Sequence, residues 1–402
     1  MVTNKIRTIF LELMEWIEKE EYKGYDPYDA LNCSFLNKIT SFHPLAQQII
    51  IHIIKNLPFN IRPYLGIEKS YNPTAFALFL ESYLNYYQIT KNSFFLNKCK
   101  FFINSLIKMS CINTEKEIGW SRNFKFVTVK EIHNKDTPLT FLNAKVGLSL
   151  TKYYKITKNK RILNLIHNII YTILKYGKIY NTNQGTFIGY AAVKKPRFIF
   201  NVNAICAELF LKYIYYVKDK YIDQYNIQNI SIDLIETLLM HQNTNGSWIY
   251  GYTFDFKELN NIDFHQGFII DSLLEINKLN LINKSNIEKS YFKGLIFMVK
   301  NQIDEKGFFK WRYPQKYPID IHNQAQGIIS LSKYKGKKFD SLLKNIVNYT
   351  IKFFWDERKK YFYYQKKLFY TIKIPYIRWS EAWMLYALSE LLLHKEYLCA
   401  EF

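Results

Sequence analysis

The chain has 402 residues, 49% of them hydrophobic, enough to bury a substantial core without division into small modules. Its 55 Lys and Arg against 34 Asp and Glu give a net charge of +21, which favours an acidic partner and fits an acidic polysaccharide, an anionic membrane surface or nucleic acid alike. Five cysteines, at 33, 99, 111, 206 and 399, follow neither CxxC spacing nor a disulfide framework, and no apolar run is built as a membrane span or secretory leader. The expectation is therefore a cytoplasmic protein, with peripheral attachment to a membrane assembly left open. Much of the charge is Lys in short clusters (155, 158, 160; 335, 337, 338), for which compositional bias is the plain account.

Ile6, Ile9, Phe10, Met14 and Ile17 recur at helical spacing and predict a helix over 5–20. Asp26-Pro27 in GYDPYDAL (24–31) suits an N-cap and first helical position, and another helix is expected over 44–56. Residues 21–70 together read as a helical and loop elaboration within one domain spanning 1–402. Beyond them the chain has a period. Amphipathic runs at 74–87 and 94–109 lead to Gly119, those at 139–156 and 161–177 to Gly185, those at 203–218 and 229–243 to Gly246, and those at 265–279 and 287–302 to Gly307. The four glycines are 66, 61 and 61 residues apart, the mark of a repeat. A fifth cycle has runs at 322–334 and 339–354, and a sixth supplies only 380–394.

The missing partner of that last run is the N-terminal helix. Pairing the two closes six hairpins into a ring, an all-α (α/α)6 toroid, because helix pairs with apolar faces on both sides need neighbours on both sides. An open solenoid is the competing arrangement. The first helix of each pair carries small residues near its start, among them Ala75, Ala144, Gly147, Ala204, Gly267 and Ala325, and is expected to line the inside.

Connections from each outer helix to the next inner one gather on one rim, and they are long, aromatic and polar, so this rim is the expected functional mouth. Trp311, Trp379, Trp383 and Tyr252 offer flat surfaces for sugar rings, whereas Trp120 and Trp248, placed directly after repeat glycines, are expected to plug their own repeats. Arg122, Arg197, Arg312 and Arg378 can hold a substrate carboxylate in two-point geometry. In DFHQG (263–267) and DIHNQAQG (320–327), Asp263 and Asp320 each precede a histidine by two residues and are expected as helix caps, leaving His265 and His322 in the first turn as acid or base. Glu381, three residues after Arg378, is the leading candidate carboxylate for proton transfer, with a loop-ordering salt bridge as its structural alternative. Tyr250 and Tyr252 are further proton donors. No metal site is expected, since the two Asp-x-His pairs are accounted for by repeated helix starts, and no cofactor loop such as GxxxxGK[ST] or GxGxxG is present.

With these features the sequence resembles the α/α-toroid carbohydrate-processing superfamily, which includes glucuronyl C5-epimerases, polysaccharide lyases and unsaturated-glucuronyl hydrolases. GYDPYDAL (24–31), QNTNGSW (242–248) and DFHQGFIIDSLLEI (263–276) resemble segments of proteins associated with cell-surface polysaccharide production. QNTNGSW is also similar to a repeat element of terpene-cyclase and prenyltransferase toroids, although the aspartate-rich motif of the former and the zinc ligands of the latter are not visible. The resemblance implies an acidic oligosaccharide or polysaccharide as partner and argues against nucleic acid. It implies C5-epimerisation of a uronate as the leading chemistry, with lyase or hydrolase action and noncatalytic glycan binding as alternatives.

Overall fold

The structure is a computed structural model that describes residues 5–128, 131–217, 226–282 and 284–399. The first helix, α1 (Lys5–Lys19), is followed by two helices of a cap, α2 (Ser34–Ile39) and α3 (Pro44–Asn56). Five hairpins come next: α4 (Pro73–Thr90) with α5 (Ser93–Lys108), α6 (Thr140–Thr157) with α7 (Lys160–Thr172), α8 (Phe200–Val217) with α9 (Ile227–Met240), α10 (His265–Leu279) with α11 (Lys284–Phe297), and α12 (Ile321–Lys333) with α13 (Asp340–Phe354). Then come α14 (Trp383–His394) and a last short helix, α15 (Glu396–Cys399).

The helices α4, α6, α8, α10, α12 and α14 touch one another in that order, and α14 packs back on α4. The ring is closed. Its sixth hairpin is α14 with α1, which gives the unpaired run at 380–394 the N-terminal helix as its partner. The inner helices are buried almost all round because each faces an outer partner, two inner neighbours and the lumen; in α4 every residue from Ala75 to Tyr86 is buried, Glu81, Ser82 and Asn85 included. An outer helix buries one stripe, in α7 Ile162, Ile166, Ile169 and Ile170. Small residues bring inner helices together where expected: a Cβ on Gly267 of α10 would meet Gln326 Cγ of α12 at 2.4 Å.

On one side of the ring the turns are short. Lys91 and Lys158 close α4 and α6 in the left-handed conformation, and the following Asn92 and Asn159 cap α5 and α7 by accepting from Phe94 N and Arg161 N. On the other side the long connections form short antiparallel strands, which an all-α expectation leaves out, such as 179–182 with 185–188 and the three-stranded set of 198–199, 251–252 and 258–259. An amide on an inner helix pins each of four of these connections. Asn143 accepts from Trp120 N and donates to Trp120 O, Asn203 bonds Ile188 N and Thr186 O, Gln266 bonds Trp248 N and O, and Gln324 bonds Phe309 N and Gly307 O. Trp120 and Trp248 are fully buried there, with their indoles donating to Leu106 O and Leu238 O, so both act as plugs.

The elaboration after α1 forms a cap over part of this rim, with a small apolar cluster of its own that includes Leu31, Leu36, Ile51, Ile54 and Ile67. Two ion pairs hold it: Asp29 with the fully buried Arg62 at 2.6 Å, and Asp26 with Arg378 of the last rim segment at 2.6 and 2.8 Å. The lumen at the opposite end is lined by paired charges from the inner helices, including Lys145–Glu81 at 3.1 Å, Lys212–Glu275 at 2.9 Å and Lys152–Glu390 at 3.4 Å.

Candidate active site

The first turns of the inner helices and the long connections enclose a cavity of about 370 Å³, a size usual for small-molecule sites. Phe141, Phe268 and Trp383 form its floor and separate it from the ion-paired lumen below, which they also line.

His265 opens α10 on one wall. Its Nδ1 lies 2.5 Å from Asp263 Oδ1, and the same oxygen accepts from His265 N at 3.1 Å. Burial works to raise the Asp263 carboxyl, but the imidazole and the hydrogen bonds outweigh it and hold the group below its ordinary value. Asp263 is thus a carboxylate that fixes one nitrogen of His265, and Nε2 is left for the cavity. The Tyr250 ring is 4.7 Å from the imidazole. Burial, reinforced by Tyr190, pushes the Tyr250 hydroxyl upward, so it stays protonated and suits a proton donor rather than a base.

His322 opens α12. It is caged by aromatic rings, 4.2 Å from Phe264, 4.4 Å from Trp383 and 4.8 Å from Trp379. Phe264 touches both histidines, since its ring is also 4.2 Å from His265. Both ring nitrogens of His322 are buried without a protein partner. Burial, with Arg378 and His265 nearby, holds its pKa well below the ordinary histidine value, so it is neutral at pH 7. Asp320 does not touch the His322 ring. It caps α12 on His322 N and accepts from the Trp379 indole and from Gln365.

All four arginines named from the sequence line the cavity, in different ways. Arg122 reaches His133 and the Tyr190 hydroxyl, Arg197 pairs with Glu131 at 2.8 Å, and Arg378 is held by Asp26. Arg312 is exposed and stacks on Trp311, 5.4 Å from the ring centre. Trp311, Trp379 and Trp383 also line the site.

Two of the sequence-named residues lie elsewhere. Tyr252 is buried among Phe187, Phe200 and Phe256, and its hydroxyl is spent on His241 Nδ1 at 3.2 Å, so the expectation of a sugar contact is corrected. Glu381 is fully buried beneath the last rim hairpin, where it accepts from Phe362 N at 3.0 Å and does not line the cavity. It occupies the position taken in other repeats by Asn143, Asn203, Gln266 and Gln324. Burial raises its carboxyl well above the ordinary value, which favours the neutral acid. Conversely, Tyr28, Tyr190, Asn201 and Asn261 line the mouth without having been singled out, although all four lie within motifs or rim connections that the sequence marked. Among the described residues no three His, Cys, Asp or Glu side chains converge as metal ligands do.

With this geometry in hand, comparison with solved structures is informative. The chain matches a cellobiose 2-epimerase from Bacillus thermoamylovorans at a TM-score of 0.63, with 13% identity over 84% of this chain and 89% of that one. It matches a GH76 α-mannanase from Bacteroides thetaiotaomicron at 0.64, with 12% identity over 82% and 88%. An unsaturated glucuronyl hydrolase specific for heparin matches at 0.58, with 12% identity over 82% and 88%. The chain has the α/α-toroid fold. No protein-family model matches it, and no curated protein sequence matches it significantly. At such identities the likeness is one of fold, and in this toroid the mouth residues have to carry any statement about chemistry.

Proposed function

We propose that this toroid is a carbohydrate-active enzyme that moves a proton at a carbon of an acidic sugar, epimerising a uronate at C5. The observation that carries the reading is the pair of histidines in one mouth, His265 fixed by Asp263 and His322 neutral with neither nitrogen bonded to protein. His265 Nε2 takes the proton from the carbon beside the carboxylate. The electron pair of the broken C–H bond moves into the carboxylate, where arginine donors stabilise the added charge. A second group, the Tyr250 hydroxyl or neutral His322 taking a proton at one ring nitrogen as it gives one up from the other, returns a proton to the opposite face. Four arginines on the lining suit an anionic ring, and Trp311 and Trp379 suit its apolar face.

The same mouth is poorly suited to glycoside hydrolysis, which ordinarily uses two carboxyl groups across the scissile bond. Among the described residues the only lining carboxylate is Asp263, already bonded to His265. The activity of the cellobiose 2-epimerase neighbour raises a second reading, proton exchange at C2 of a reducing sugar, which this histidine pair also supports.

Incubation with defined acidic oligosaccharides in heavy water, followed by NMR and mass spectrometry, separates these readings. Deuterium at C5 without cleavage is the expected result. Deuterium at C2 moves the reading to a 2-epimerase, an unsaturated end to a lyase, and cleavage with water incorporation to a hydrolase. Binding without exchange leaves a recognition protein.

A further inference from the structure

The cap carries a surface that the mouth does not explain. Of the twenty large apolar side chains exposed among the described residues, eight lie between positions 35 and 64 and three more at 368–370. Helix α3 is apolar on two faces. Ile51 and Ile54 pack into the cap's own cluster, while Leu45, Ile49 and Ile53, spaced by four, form an exposed stripe on another side. Phe42, 80% exposed, protrudes just before this helix, and Phe369, 91% exposed, tips a hairpin tied to its end. The tie consists of the Tyr370 hydroxyl donating to Asn56 O at 3.1 Å and Lys367 Nζ donating to Asn56 Oδ1 at 2.9 Å. Contiguous exposure of this kind marks an interaction surface.

Charge selects the partner. Residues 30–67 contain no Asp or Glu; Lys55 and Arg62 are buried, which leaves Lys38 as the exposed cation there, and residues 366–373 carry three lysines and no acid. Two copies docking through this face would set lysine against lysine within a chain whose net charge is already +21. An anionic lipid surface answers both halves of the pattern, taking the apolar side chains into its interface and attracting the lysines around them. No helix among the described residues is long and apolar enough to cross a membrane, so such a face lies on a bilayer. We infer that the outer face of the cap, α3 together with the 366–371 hairpin, docks on an anionic membrane surface. On its buried side the same helix reaches the mouth: Lys55 of α3 donates to the hydroxyl of Tyr28, which lines the cavity. The inference does not depend on the reaction proposed above.

The test is co-sedimentation of the full-length protein with phosphatidylcholine vesicles made with and without phosphatidylserine. Binding is expected only with phosphatidylserine, weakening as salt rises, and falling by about tenfold or more in Phe42→Asp/Ile49→Asp. Leu368→Ser/Phe369→Ser changes two exposed positions at the hairpin tip; it is expected to weaken binding several-fold with an unchanged melting temperature, and it decides the matter if the first variant does not fold. Absence of binding to either vesicle overturns the inference, as does equal binding to both. Light scattering that shows a concentration-dependent dimer dispersed by the same substitutions, without vesicle binding, overturns it in favour of a second copy of the chain.

Discussion

Asp263 Oδ1 binds His265 twice, at the imidazole Nδ1 and at the backbone N, so one carboxylate both starts an inner helix and sets the tautomer of a ring in the mouth. An asparagine can still accept from the backbone, but it supplies no negative charge to an imidazolium formed during proton transfer. Asp263→Asn is expected to lower kcat by about 10²- to 10⁴-fold with a much smaller change in KM. Steady-state rates on the turned-over acidic oligosaccharide check this, and a melting temperature within a few degrees of the wild type separates it from loss of the cap.

His322 leads to a prediction about pH. Burial depresses its pKa, so the neutral form persists below the pH at which an ordinary histidine takes up a proton. The sign follows from linkage: between the folded value and about 6.5 the unfolded chain binds the proton and the folded chain does not, so this residue's contribution to stability is present above 6.5 and is lost as pH falls. His322→Gln is expected to flatten the stability profile on that acidic side and to reduce turnover by about 10²-fold or more. Thermal melts across pH 4–8, compared with rates over the same range, check both halves.

The ring was legible because its signals are local and repeated. Helix starts around Asp320 and Asp263 and glycines at a fixed period each follow from a few neighbouring residues. The histidines and arginines of the mouth were legible for the same reason, since the rim is where the long connections gather. What could not be read depends on contacts between distant segments. Asp26 and Arg378 are 352 residues apart and meet only because the cap folds over the last connection. Tyr250 and Tyr252 share one short segment, yet one faces the mouth and the other a cluster of phenylalanines. Glu381 looked chemical beside an arginine and a tryptophan; alignment of the repeats by their pinning amides is the signal that would have placed it.

That alignment makes Glu381 testable. As a neutral acid it can fill the place of an amide, accepting from Phe362 N as Gln324 accepts from Phe309 N. Its raised pKa contributes stability that is fully present below the unfolded value of about 4.5 and is lost as pH rises from there through the folded value. Glu381→Gln supplies the same hydrogen bonds without an ionisable group. The variant is expected to keep wild-type turnover and to melt higher than the wild type at pH 7–8, with the gain shrinking towards pH 4. A large loss of kcat with an unchanged melt would return Glu381 to the chemistry.

The two arginines nearest the tryptophans should respond differently to removal. Arg378 neutralises Asp26, a carboxylate only 5% exposed, and Arg378→Ala leaves that charge buried without its cation, at a cost of about 3–5 kcal/mol in stability. Arg312 has no such duty: exposed at the mouth, it stacks on Trp311 and offers its donors to the cavity. Arg312→Ala is therefore expected to leave the melting temperature unchanged while raising KM for an acidic oligosaccharide about tenfold at nearly constant kcat. The neutral sugar of matched length supplies the control. If Arg312 reads a carboxylate, its removal closes the gap between acidic and neutral substrates; if both KM values move together, the residue contributes stacking through Trp311 and the acidic-sugar assignment loses its most accessible cation.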